Sequence, residues 1–251
     1  MRLTMVPTFY APPEQIANGR VALTGDEAHH AVHVLRRRVG DVITVVDGQG
    51  MELDVRVTRC SSFGVDGEIV GKRRRPRDPI AFVTLAQAIP KGQRIDVVIE
   101  KATEIGVSAI IPMMTARTVS DVDPSSPHRT ARWQAIATSA MKQSGRAILP
   151  QVSPPTEFAS VLELVPDYTI ALLATPKERV RTPTKALARL RPGKHRVLIL
   201  VGPEGDFSAD EVAQATVAAV EPVTLGPRLL RAETAGIVLV ALVLHELGEL
   251  A

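Results

Sequence analysis

At 251 residues, 45% hydrophobic and 23% charged, the chain has the make-up of a folded protein: one large domain, or a small one joined to a larger one. A single cysteine, Cys60, excludes an internal disulfide framework and a cysteine-rich metal site, and fits a reducing cytoplasm. The net charge is only +3, yet 23 of the 30 basic residues are arginine. Guanidinium groups suit phosphate contact, although an arginine-favouring codon bias accounts for the same count. Aromatic residues, at 3%, are too few for a platform that stacks single-stranded bases.

The opening MRLTMVPTFYAPPEQ lacks the apolar core of a signal peptide, so none is expected. Within residues 1–70, "DVITVVDG", "MELDVRVTRC" and "SFGVDGEIVG" alternate with period two, which predicts antiparallel strands. Before them, "TGDEAHHAVHVLRRRVGD" predicts a helix opened by a capping box from Thr24 to Glu27 and closed by Gly40. The basic, proline-interrupted "GKRRRPRDP", residues 71–79, reads as a linker.

From "IAFVTLAQAIP" onward, apolar runs such as "SAIIPMM", "YTIALLA" and "RVLILVG" alternate with longer helical patterns. This texture predicts an α/β domain whose mostly parallel sheet is covered on both faces. Its first helix, "GQRIDVVIEKATEIG", places Ile95, Val98, Ile99 and Ala102 on one face and ends at Gly106. Trp133 is expected in the core. The apolar run "GIVLVALVLHEL" is too short to cross a bilayer and reads as a buried helix, so no membrane partner is expected.

Two loops stand out. "LILVGPEGDFSADEV" leaves a strand through Gly202-Pro203-Glu204-Gly205 and enters a helix at a second capping box, Ser208 to Glu211. "VTLGPRLLRAETA", residues 223–235, leaves another strand through Gly226-Pro227 and brings Arg228, Arg231 and Glu233 to the terminal helix. In a parallel sheet the strand C-termini flank the ligand crevice, and helix-start amides favour an anion or a polar edge. Neither spacing is a dinucleotide fingerprint or a Walker A loop. Plain βα turns remain the alternative, and Arg231 beside Glu233 reads equally as a surface ion pair or a substrate clamp. If their strands are neighbours, the two loops converge on one sheet edge.

His29, His30 and His33 share a helical stretch, but no HExxH pattern or third ligand accompanies them, so no metal is expected. A solvated face and, with Arg36 to Arg38 alongside, an RNA-facing surface both remain open. For Lys72 to Arg77 the alternatives are solubility and phosphate contact.

"LVGPEGDFSADEV" followed by "LGPRLLRAETA", with "IEKATEIGVSAIIPM", "MKQSGRAILPQV" and the N-terminal "HHAVHVLRRRVGD" and "VVDGQG", closely resembles the RsmE-type 16S ribosomal RNA methyltransferases of the SPOUT superfamily. The resemblance spans essentially the whole chain. It implies a small PUA-like β-barrel domain over residues 1–72 and a SPOUT α/β domain with a deep C-terminal trefoil knot over residues 73–251. It also implies a cytoplasmic homodimer that uses S-adenosylmethionine to methylate N3 of a uridine in 16S rRNA of the 30S subunit.

Carried over by position, Leu173, Ala174, Thr175, Val201, Gly202, Pro203, Glu204, Gly205, Leu225, Gly226, Leu229 and Leu230 are expected to cradle the cofactor. Arg231 and Arg228 are the candidates to stabilise charge on the uracil carbonyls, and Glu204 or Glu233 the candidate base. Glu204 has a rival role, binding a ribose hydroxyl or the cofactor's ammonium group. RNA contact is expected from His29, His30, Arg36, Arg37, Arg38, Lys72, Arg73, Arg74, Arg75, Gln143 and Arg146. Two positions depart from the pattern: Asp206 stands where the family usually has glycine, and Lys142 where it often has glutamate. A positive φ at position 206 would tolerate Asp. The rival readings are a SPOUT enzyme acting on tRNA or a ribose 2′-hydroxyl, and a non-catalytic RNA-binding factor. The last predicts a disrupted cofactor loop, whereas both Gly-Pro loops are intact.

Overall fold

A computed structural model describes residues 7–61, 63–74, 77–118, 127–176, 180–191 and 193–250. The chain forms two compact units, Met1–Asp78 with Thr138–Leu149 and Pro79–Ala137 with Pro150–Ala251.

The first unit contains β1 (Thr8–Tyr10), β2 (Ile16–Ala17), β3 (Arg20–Leu23), α1 (Gly25–His29), β4 (Val42–Val46), β5 (Met51–Ser61) and β6 (Gly64–Arg74). Its strands pair in the order β1-β4-β5-β6-β3-β2, with β1 parallel to β4 and every other pair antiparallel. Period-two patterning drives Ile43, Val45, Leu53, Val55 and Val57 inward, where they pack with Phe9, Leu23 and Val65.

Three local expectations give way here. The helix does not continue to Gly40: α1 passes into a π-helical turn over His30–Val34, and Arg36, at a φ of 51°, is left-handed. The Thr24–Glu27 capping box does not form. Glu27 instead accepts from the Tyr10 N–H at 3.1 Å and from Lys142, while the Thr24 hydroxyl accepts from the Gln15 amide at 3.0 Å. Residues 71–74 are not linker but the end of β6, in register with β5 as far as Met51 opposite Arg74. Arg75 lies outside the described residues.

The second unit runs β7 (Phe82–Ala88), α2 (Arg94–Ile105), β8 (Ala109–Met114), α3 (Pro127–Ser144, in this unit as far as Ala137), β9 (Gln151–Val152), β10 (Thr156–Glu157), α4 (Phe158–Leu162) and β11 (Ile170–Ala174). It continues with α5 (Pro183–Leu187), β12 (Arg196–Val201), α6 (Ala209–Val217), β13 (Glu221–Val223) and α7 (Ala232–Glu246). The sheet is seven-stranded, ordered β10-β8-β7-β12-β11-β13 with β9 on β8, and every described pairing is parallel. All five residues of β11 are buried, as continuous apolar strands covered on both faces require. α2 buries Ile95, Val98, Ile99 and Ala102 and stops at Gly106, whose φ of 127° suits glycine. Trp133 is only 2% exposed. Among the described residues no helix is long and apolar enough to cross a membrane.

Candidate active site

The two glycine loops leave β12 and β13, which are not direct neighbours: β11 lies between them and pairs with both. All three strands run parallel, so their C-termini reach one edge of the sheet. There a cavity of about 330 Å³ opens between three segments, 174–176, 201–206 without Gly205 and 224–231 without Pro227, and is lined as well by Ala232 and Ala235. That volume lies in the range of about 300–1,000 Å³ typical of small-molecule sites.

Each loop is shaped by short-range forces. After β12, the Asp206 N–H donates to the Pro203 carbonyl at 2.9 Å, closing a tight turn. Asp206 has a φ of 59°, the left-handed conformation that Asp tolerates better than most residues. A Cβ on Gly202 would meet the buried Phe207 ring at 3.1 Å, so this glycine serves core packing as well as the loop. α6 then begins with the predicted capping box: Ser208 accepts from the Glu211 N–H, and Glu211 accepts from the Ser208 N–H at 2.8 Å. The other Glu211 oxygen accepts from the Ala116 N–H at 2.8 Å. The start of α6 is therefore capped by the chain itself.

The open helix start is that of α7. Its N-cap residue, Arg231, makes no side-chain cap, and the first-turn N–H groups lack intrahelical partners. Ala232 from that turn lines the cavity. Arg228 and Arg231 stand exposed on its rim and form no ion pair among the described residues. A cation-rimmed helix N-terminus favours an anionic group.

Of the residues expected around a cofactor, Ala174, Thr175, Val201, Gly202, Pro203, Glu204, Leu225, Gly226, Leu229 and Leu230 line the cavity. Leu173 is 2% exposed and faces the core. Gly205 is turned away, its carbonyl accepting from Arg117 at 2.6 Å. Glu204 lines the cavity with Oε1 held by the Lys91 N–H at 3.2 Å and by Arg94 at 3.1 Å. Glu233 does not line it; its Oε1 lies 4.0 Å from Arg94, and its Oε2 is buried with no hydrogen-bond partner among the described residues. Arg94, not Arg231, is thus the cation beside Glu233. Arg94 and Arg117 were absent from the sequence-derived candidates. They lie 110 and 88 residues from the loop atoms they hold, so no local spacing marks them.

The residues expected to face RNA all belong to the first unit. Arg36, Arg38, Lys72 and Arg74 are exposed and form no ion pair among the described residues, and Arg37 is half-buried. His29 is exposed, His30 packs against Phe9 and Gln143 is exposed. Arg73 is exposed but engaged: hydrogen bonds first to Asp54 and then to Glu52 hold its guanidinium still more firmly protonated than usual. Arg146 is not a surface residue. Its side chain is 4% exposed and its Nε donates to the fully buried Asp78 at 2.9 Å. Burial lowers its pKa against the attraction of Asp78.

Residues 76–244 match the family described as the RNA methyltransferase domain, and residues 23–59 the family described as the RNA methyltransferase PUA domain. The chain belongs to this RNA methyltransferase family. It is 31% identical to the ribosomal RNA small subunit methyltransferase E of Bacillus subtilis over 85% of each chain. It is 34% identical to the Synechocystis protein of the same name over 91% of this chain and 74% of that one. Among solved structures, the ribosomal RNA small subunit methyltransferase E of Neisseria gonorrhoeae, bound to S-adenosyl methionine, superposes with a TM-score of 0.84 at 32% identity, covering 96% of this chain and 97% of that one.

Proposed function

We propose that this chain transfers a methyl group from S-adenosylmethionine to N3 of a uridine in 16S rRNA of the small ribosomal subunit. The observation that carries the reading is the cavity at the ends of β12, β11 and β13, lined both by an uncapped, cation-bearing helix start and by Glu204. Those donors match the cofactor's chemistry. The uncapped α7 start suits a carboxylate, and Glu204 suits an ammonium group or ribose hydroxyls. The apolar Leu225, Leu229 and Leu230 suit an adenine face. When bound, S-adenosylmethionine supplies an electrophilic methyl group.

The protein's own tasks are to align that group with the uracil nitrogen and to favour loss of the N3 proton. Alignment alone lowers much of the barrier. Arg228 and Arg231, unpaired on the rim, stabilise the negative charge that develops on the uracil carbonyls. Of the two candidate bases for the N3 proton, Glu204 lines the cavity and Glu233 does not, which favours Glu204.

The same reading divides the labour. Residues 1–72 dock the RNA through Arg36, Arg38 and Lys72, helped by Arg74 at the end of β6, and residues 73–251, with a deep C-terminal trefoil knot, carry out transfer. The enzyme works as a cytoplasmic homodimer. Support for a partner surface comes from α7, whose residues 235–244 are all apolar or glycine and which leaves Ile237, Val238, Ala241 and Leu242 only half-buried.

The test is transfer of labelled methyl groups to unmethylated 30S subunits, with free 16S rRNA and tRNA in parallel, followed by digestion to nucleosides. Labelled 3-methyluridine from the subunit rRNA is expected. Label in tRNA alone, or in a ribose-methylated nucleoside, would overturn the substrate assignment.

A further inference from the structure

We infer that Arg94 is a positioning residue: its guanidinium fastens Glu204, and with it the Gly202–Asp206 loop, in the form that receives the cofactor. The inference rests on the reading of the cavity as the S-adenosylmethionine site.

Three elements meet at Arg94. It opens α2, just after the strand β7 that pairs with β12. Its Nη1 lies 3.1 Å from Glu204 Oε1, and its Nε edge lies 4.0 Å from Glu233 Oε1 at the start of α7. The Lys91 N–H reaches the same Glu204 oxygen at 3.2 Å. Both contacts fall on Oε1, so Oε2 of a cavity-lining carboxylate is left without a hydrogen bond among the described residues. An acid anchored by one oxygen and open at the other is prepared for a ligand at no cost in reorganisation. Glu233, mostly buried, orients the guanidinium from its other edge and belongs to the helix whose uncapped start borders the cavity.

The pair should add little to stability. Arg94 and Glu204 are 44% and 36% exposed, and ion pairs that open to solvent add little to stability. A flat guanidinium spans both carboxylates, whereas a lysine ammonium reaches one of them.

The experiment measures S-adenosylmethionine affinity by calorimetry for the full chain and for Arg94→Ala, Arg94→Lys, Glu204→Gln and the Arg94→Ala/Glu204→Gln double variant. Thermal unfolding serves as the check on folding. Arg94→Ala is expected to weaken binding about tenfold, the scale of one lost charge-assisted contact. Arg94→Lys should lose about threefold, since a single point contact survives. The double variant should bind as Glu204→Gln does, because Arg94 acts through Glu204. Wild-type affinity in Arg94→Ala, or a double variant whose loss is the product of the single losses, would overturn the inference alone. Wild-type protein that binds no S-adenosylmethionine would overturn the functional reading and the inference with it.

Discussion

Replacing Asp78 by alanine removes a carboxylate that is fully buried and bonded three ways. Its Oδ1 accepts from Arg146 Nε at 2.9 Å, and its Oδ2 accepts from the Ala147 and Ile148 N–H groups at 2.7 and 3.1 Å. The arginine side chain is 4% exposed, so it cannot turn to water when its partner goes. Breaking a buried ion pair from one side costs about 3–5 kcal/mol, and with two N–H groups stranded as well the loss is not at the low end but about 4 kcal/mol. For a chain of this size that lowers the melting temperature by about 8–16 °C. Urea and thermal unfolding of wild type, Asp78→Ala, Arg146→Met and the double variant measure it. The double variant should recover much of the loss, because no buried charge is left unpaired. Arg20→Ala, which breaks a pair 72% and 53% exposed, is the control and should cost under about 1 kcal/mol. An Asp78→Ala loss below about 1 kcal/mol, or a double variant less stable than either single, would refute the reasoning.

Gly236→Ala in α7 should destabilise by about 1–2 kcal/mol in denaturant, despite alanine's higher helix propensity, because overpacking outweighs it. Its new Cβ would meet the buried Gln87 Oε1 at 2.2 Å, so adding Gln87→Ala should relieve the loss. Asp206→Gly should leave stability within about 1 kcal/mol of wild type, whereas Asp206→Val, forced to a φ of 59°, should lose about 1–2 kcal/mol in thermal unfolding. Ser208→Ala should cost about 1 kcal/mol by removing the α6 cap, read from the same melts. Arg36→Ala and Arg38→Ala should each lower the salt dependence of rRNA binding by about one unit of log-log slope and leave S-adenosylmethionine affinity unchanged. Equal loss of both affinities would remove RNA docking from this surface.

Much of the second unit was legible in the residues themselves. β11, and β12 after Arg196, are uninterrupted apolar runs, which a parallel sheet covered on both faces accommodates. The Ser208–Glu211 box depends on chemistry within a few residues and forms where its spacing placed it, and Asp206 does take the positive φ that Asp tolerates. The two glycine loops were visible for the same reason, since strand, turn and cap are local. The Thr24–Glu27 box had the same spacing and failed, because Lys142, 115 residues away, and the Tyr10 N–H claim the carboxylate first. Arg146 looked like a surface cation until Asp78, 68 residues away, drew it inside. Arg94 carried no local mark, and only the sheet order brings it to Glu204. The sequence by itself determined where strands, turns and caps begin, because those depend on backbone preference and bonds a turn or two long. Which charge meets which, and so which arginines face a ligand and which are spent inside, was decided by tertiary structure: a carboxylate binds the cation that folding brings nearest, wherever that cation lies along the chain.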